Sequence, residues 1–287
     1  MVMPETSQLV IAVDPILCQP ERLQPNLLSG ADRLGKIIAQ GQTVFGVVMV
    51  ALGVVNFFCA HFGLTIAGVP WIPANPLFCY LCGAVLVAGG TSIAANFHSR
   101  SMAMLLGYFF LGCVLFRALP LVFANLSDWS VYGILCEALA LGASAWTLVQ
   151  VLPPASSRWE SVLRKATVSG PYVFAVCLVA FGSIHFLVAR VIAGLIPRWI
   201  PGSLFFTYLT GTALVVSGIC IAVRRLDEWA GFWLGVMFLL WFVLLHVSRV
   251  AADPHNPDEW SSACIALAMC GGSWIMARHA KARKAVR

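Results

Sequence analysis

Eight apolar runs, each about twenty residues long and nearly free of charge, constrain this chain more than any other feature. They fall at about 43–61, 76–97, 102–124, 130–152, 171–190, 203–223, 229–250 and 259–278. That length is close to what a helix needs to cross a hydrocarbon core. A soluble core of this size has no use for eight such runs. Composition agrees: 60% of the residues are hydrophobic and 10% charged, where an ordinary soluble domain has about a quarter charged. The expected fold is all-α, a polytopic membrane protein of eight transmembrane helices whose first partner is the lipid bilayer.

The runs are not independent of one another. Val69-Pro-Trp-Ile-Pro at the mouth of the second run reappears, 128 residues on, as Ile196-Pro-Arg-Trp-Ile-Pro at the mouth of the sixth. Trp71 matches Trp199, Ile72 matches Ile200, Pro73 matches Pro201 and Tyr80 matches Tyr208. Gly83 and Gly90 match Gly211 and Gly218. Further pairs are Gly53 with Gly182, Phe57 with Phe186, Gly107 with Gly235, Phe110 with Phe238 and Trp146 with Trp274. Four spans per half is an even number, so the halves share one orientation and are expected as tandem parallel repeats. Gly83/Gly90 and Gly211/Gly218 each share a helix face, where small residues let helices approach closely in lipid.

Charge sets the orientation. Fourteen of the 18 Lys and Arg residues fall in the tails and in the connections on one side. The other side holds Arg190, Arg198 and Arg249, while Arg117 lies inside a span. Basic residues collect on the cytoplasmic side, so both termini are expected there, in a bacterial cytoplasmic (inner) membrane. The net charge of +6 is spread between spans, which suits a topology signal and anionic lipid and implies no nucleic acid.

The expected organisation is a tail with an interfacial helix (1–42), a first four-helix repeat (43–152), a linker (153–170), a second repeat (171–278) and a basic tail (279–287). Residues 1–30, broken by four prolines, read as a poorly ordered cytoplasmic tail with no run long enough for a cleavable signal. Most of the ten cysteines lie within apolar runs, where they behave as small hydrophobes.

With these residues in view, both halves resemble the DoxX-like family of small four-helix bacterial membrane proteins. The likeness is carried by Ala180-Phe-Gly-Ser-Ile-His-Phe186, the Pro197–Gly202 turn, Tyr208-Leu-Thr-Gly211, Leu245-His-Val-Ser-Arg249 and Trp260 with the Gly-rich last helix. The first half is degenerate, with Asn56 where His185 falls and Arg117 about where His246 falls. Some relatives of that kind are subunits of thiosulfate:quinone oxidoreductases. The resemblance therefore implies quinone-linked redox work and a membrane or periplasmic redox partner, although fold alone does not fix function.

His185 and His246 lie near the outer ends of two spans that run the same way. Ionisable groups within spans are costly and suggest a site. The pair can hydrogen-bond a quinone, ligate a haem (the less favoured use), or simply donate to backbone carbonyls. Arg198 and Arg249, with Trp199, suit an anionic headgroup, because a guanidinium holds oxyanions through two bonds; the plain alternative is charge solvated at the interface. Arg117 and Glu137 lie ten residues on either side of Ser127, so on antiparallel neighbouring helices they are expected at one depth as an intramembrane ion pair that locks the third and fourth spans together. Cys79-Tyr-Leu-Cys82 has the spacing of a redox dithiol, but Thr207 and Thr210 occupy the equivalent places, which favours small packing residues. No phosphate loop, dinucleotide fingerprint or metal-ligand spacing occurs. The alternatives to a quinone-binding protein are a small-solute carrier with its path between the halves and a non-catalytic anchor subunit.

Overall fold

The structure, a computed structural model, describes residues 30–59, 76–154 and 158–285. The Pro-Trp-Pro segment of the first half, with Trp71, Ile72 and Pro73, lies outside the described residues, as do most of the N-terminal tail and residues 155–157 of the linker.

Every regular element among the described residues is a helix, and eight helices are long and apolar enough to cross a membrane. The chain begins with α1 (Gly30–Ala39), an amphipathic helix that buries Leu34 and Ile38 while Arg33 and Lys36 face outward. It leads into α2 (Gly41–Cys59), followed by α3 (Pro76–Ala94). Next, α4 (Ser99–Cys113) passes through a π-helical turn, Val114–Ala118, into α5 (Leu119–Ala124). Then come α6 (Trp129–Val151) and α7 (Arg158–Thr167), so the polar segment expected as a linker contains a helix of its own. The order continues with α8 (Gly170–Leu187), the short α9 (Ala189–Leu195) and α10 (Ser203–Ala222). Here α11 (Asp227–Trp241) passes through a second π-turn, Phe242–His246, into α12 (Val247–Ala252), and α13 (Pro257–Ala285) closes the chain.

The two π-turns stand 128 residues apart, at 114–118 and 242–246. The turns ahead of α4 and α11 keep the same interval: positive φ occurs at Asn96 and His98, and again at Arg224 and Leu226. A left-handed backbone costs a non-glycine residue roughly 1 kcal/mol, so a pair of such residues at matching places marks a turn shape kept in both.

Packing follows the small residues. A Cβ on Gly53 would stand 2.7 Å from the Gly83 carbonyl oxygen, and one on Gly182 would stand 2.7 Å from that of Gly211. Thus α2 lies backbone-to-backbone on α3, and α8 on α10. At the centre α6 packs on α13, with α4 and α8 also on α6, and α11 and α2 also on α13. Long apolar side chains such as Phe58, Val176 and Phe205 point away from the bundle and stay exposed. That much uncovered apolar surface suits lipid and not water.

At the end of the bundle that carries residues 96 and 224, polar clamps fasten the helices. Gln42 donates to the Ile93 carbonyl (3.0 Å) and to Asn96 (2.6 Å), and accepts from Arg278 (3.1 Å). Arg283 pairs with the buried Asp227, and Lys284 with Glu228 at 3.2 Å, tying the last turns of α13 to the first turn of α11.

Candidate functional site: a cavity between α6 and the second half

A partly open space lies at the opposite end. A cavity of about 570 Å³ is bounded by α6 on one side and by α8, α9, α10, α11–α12 and α13 on the others. Along α6 its wall runs from Ser127 to Ala140, about 20 Å at 1.5 Å per residue. It therefore reaches from the α5–α6 turn well into the bundle. The lining is mostly apolar, with Phe181, Leu214, Phe238, Trp241 and Met269 prominent. Into this apolar space project Glu137, His185 and His246.

His185 is buried in the last turn of α8, and its Nδ1 lies 2.8 Å from the Phe181 carbonyl oxygen one turn back. A carbonyl only accepts, so Nδ1 carries the hydrogen. In the neutral ring Nε2 is left with a free lone pair. His246 closes the second π-turn, and its Nδ1 is buried without a hydrogen-bond partner. Glu137 has no counter-ion among the described residues, and no Lys, Arg or His lies within four positions of it in the chain. A carboxyl and two imidazoles thus face one apolar volume with capacity to accept or share protons. Trp241 donates through Nε1 to the Thr210 hydroxyl (3.0 Å), which ties α11 to α10 at the cavity wall.

Arg249 also lines the cavity, but its guanidinium is already occupied: Nε and Nη2 each donate to Glu259 at 2.7 Å. That bidentate pair joins α12 to α13 and takes up the Nε–Nη2 edge of the guanidinium. Arg198 and Trp199 do not line the cavity at all. The turn after α9 is held by the buried Ile200, and both neighbours point outward, Trp199 with 60% of its surface exposed. Of Arg198, Trp199 and Arg249, the residues expected to hold an anionic headgroup, Arg249 alone lines the cavity.

The expected Arg117–Glu137 ion pair is not formed either. Glu137 faces the cavity, whereas Nε and Nη1 of Arg117 are buried without partners. The reason is which way Glu137 faces: the cavity it lines is walled by α6, α8, α9, α10, α11–α12 and α13 and includes no residue of α4, the π-turn or α5.

Cys79 and Cys82 are both buried near the start of α3. No group of three or more His, Cys, Asp and Glu residues among the described residues is set to hold a metal ion.

Phe181, Thr210, Phe238 and Trp241, none of them a candidate binding residue from sequence, complete the wall. The signal for Glu137 was legible: a carboxylate in an apolar run with no basic residue in helical reach. The aromatic lining gave none, because aromatic residues are equally common on lipid-facing surfaces of such a chain. No family model, no curated protein and no solved structure matches the chain, and nothing among those comparisons identifies the DoxX-like family.

Proposed function

We propose that this chain is a DoxX-like integral membrane protein, built as two parallel four-helix repeats, that binds a lipid-soluble quinone or quinol in the cavity beside α6. The observation that carries the reading is the convergence of Glu137, His185 and His246 on one apolar space of about 570 Å³. Ligand pockets of a few hundred cubic ångströms commonly pair a mostly apolar wall with a few convergent polar groups. A quinol presents two hydroxyl groups on opposite edges of its ring. One hydroxyl suits the lone pair on Nε2 of His185, and the other suits the Glu137 carboxylate. The oxidised form needs donors instead, which a protonated Glu137 or imidazolium would provide. The apolar wall suits an isoprenoid tail. A membrane or periplasmic redox partner, at the end of the bundle away from the basic tails, would exchange electrons with such a ligand.

A carrier is the second reading, favoured by one observation: the cavity uses a helix of the first half as one wall, so movement between the halves would open it.

The test is to purify the protein in mild detergent, extract it with organic solvent and identify what came with it. His185→Ala/His246→Ala, prepared in the same way, controls for bulk lipid. A stoichiometric quinone in the wild type that the double variant loses is the expected result. Equal amounts in both would sink the quinone reading and leave a transport assay to judge the carrier.

A further inference from the structure

The first half carries an unsatisfied polar pair of its own, and the cavity just described has no share in it. Asn56 on α2 has 0% of its surface exposed, and neither its amide nitrogen nor its oxygen has a hydrogen-bond partner. Leaving one buried polar group unpaired costs about 1–3 kcal/mol. On the π-turn between α4 and α5, Nε and Nη1 of Arg117 are likewise buried and unpartnered. An uncompensated guanidinium inside a span is costlier still.

Local geometry puts Asn56 at the place of His185 and Arg117 at the place of Leu245, the residue before His246, and both of those places line the cavity of the second half. A Cβ on Gly83 would meet the Gly53 carbonyl oxygen at 3.0 Å, Asn56 Cβ at 3.1 Å and Phe57 Cε2 at 3.1 Å. A Cβ on Gly211 would meet the Gly182 carbonyl oxygen at 3.1 Å, His185 Cβ at 2.8 Å and Phe186 Cε2 at 3.1 Å. Asn56 thus stands against α3 as His185 stands against α10. Arg117 is the fourth residue of its π-turn, and His246 is the fifth of the other. Of the charged groups among the described residues, Asp258 on the first turn of α13 is the one that acts on Arg117. Asp258 forms no ion pair with Arg117, so it moderates the charge without taking up the guanidinium hydrogens.

We propose that Asn56 and Arg117 form a second ligand site, one that takes an oxyanion, such as the phosphate of a lipid headgroup or a free phosphate. Nε and Nη1 of Arg117 offer donors to one oxyanion, and the Asn56 amide adds another. The bound charge compensates the guanidinium, which nothing else among the described residues pairs with. Arg117 lies seven residues before the end of α5, about 10 Å in at 1.5 Å per residue. A flexible side chain can bridge much of that distance towards headgroup depth. The proposal does not depend on what the cavity beside α6 binds.

The experiment follows the melting temperature of delipidated protein in neutral detergent. The titrants are phosphatidylglycerol, phosphatidylcholine, and sodium phosphate against sodium chloride at matched ionic strength. Phosphatidylglycerol or phosphate is expected to stabilise the wild type, with phosphatidylcholine and chloride inert. Stabilisation by the lipid alone identifies a headgroup site; stabilisation by phosphate identifies a free-anion site. Arg117→Gln is expected to weaken the response at least tenfold in half-saturating concentration, and Asn56→Leu to weaken it less. The exposed Arg198→Gln is expected to leave it unchanged. An unresponsive wild type overturns the proposal. So does a response that Arg117→Gln keeps, or one that Arg198→Gln loses equally, since either means general surface charge. Should Arg117→Gln fail to fold, native mass spectrometry of the wild type decides: neither anionic lipid nor phosphate retained above the level of phosphatidylcholine overturns it as well.

Discussion

Arg249 illustrates how a partner decides what a charged residue can do. With both arms of its fork on Glu259 at 2.7 Å, it joins α12 to α13 and is part of the wall. Glu259→Gln is therefore expected to lower the melting temperature, since it leaves a half-buried guanidinium short of its charged partner. Ligand retention at temperatures where the variant is folded is expected to persist. Loss of ligand without loss of stability would return Arg249 to the binding groups. A parallel exchange occurs 128 residues apart, where Arg100 and Glu228 stand at the second residue of α4 and α11. Arg100 donates to the Val149 and Leu152 carbonyls, both at 2.6 Å, and so caps the end of α6. Glu228 instead holds Lys284, because α13 runs on into a basic tail at the same place. A helix that stops needs donors for its free carbonyls, and one that continues with lysine and arginine needs an acid. Asp128 caps the start of α6 by accepting from the Ser130 N–H at 2.9 Å, and this bond, helped by the Ser130 hydroxyl, holds its carboxyl below the usual range. With a folded value depressed, its contribution is present above the ordinary carboxylate value of about 4 and fades as pH falls through the folded value. The fall in melting temperature on acidification is expected to be shallower in Asp128→Asn than in the wild type. Identical pH profiles would show that the cap contributes nothing.

Among the elements, glycine placement decides which helices touch. A Cβ on Gly182 would stand 2.7 Å from the Gly211 backbone oxygen of α10, whereas one on Gly112 or Gly194 would meet nothing within 4 Å. Gly182→Ala forces α8 away from α10 and is expected to cost about 1–3 kcal/mol, the usual penalty for overfilling a packed contact. Gly194→Ala in α9 is expected to be neutral or slightly stabilising, since alanine is the better helix former. Melting the two variants side by side checks both, and equal melting temperatures would contradict the close contact. Gly107 and Gly235 serve differently: each is the seat of a tryptophan ring, Trp146 from α6 and Trp274 from α13. The 128-residue matches linked glycine to glycine and tryptophan to tryptophan. That each glycine receives a tryptophan depends on how α4 and α11 cross α6 and α13, which no one-dimensional spacing contains.

For the molecule as a whole, the central pair α6 and α13 makes each half lean on the other: α2 rests on α13, and α8 on α6. That exchange gives the cavity a wall from the first half. We expect the basic ends to face the cytoplasm, because fourteen Lys and Arg residues gather there against four elsewhere. A reporter that works only inside the cell, fused after Arg287, is expected to be active, and the same reporter inserted between Pro254 and Asn256 to be silent. The reverse pattern would invert the topology. Eight spans, the all-helical class and the matched positions of Trp, Gly and Pro were determined by the sequence alone. Length, hydropathy and backbone hydrogen bonding leave a chain in lipid almost no other option. Tertiary structure alone decided which buried polar groups share a space. Glu137 joined His185 and His246, Arg117 turned away from Glu137, and Arg249 closed on Glu259. Those outcomes depend on which helices from the two halves face one another across the bundle. That arrangement is long-range, and the order of residues does not encode it locally.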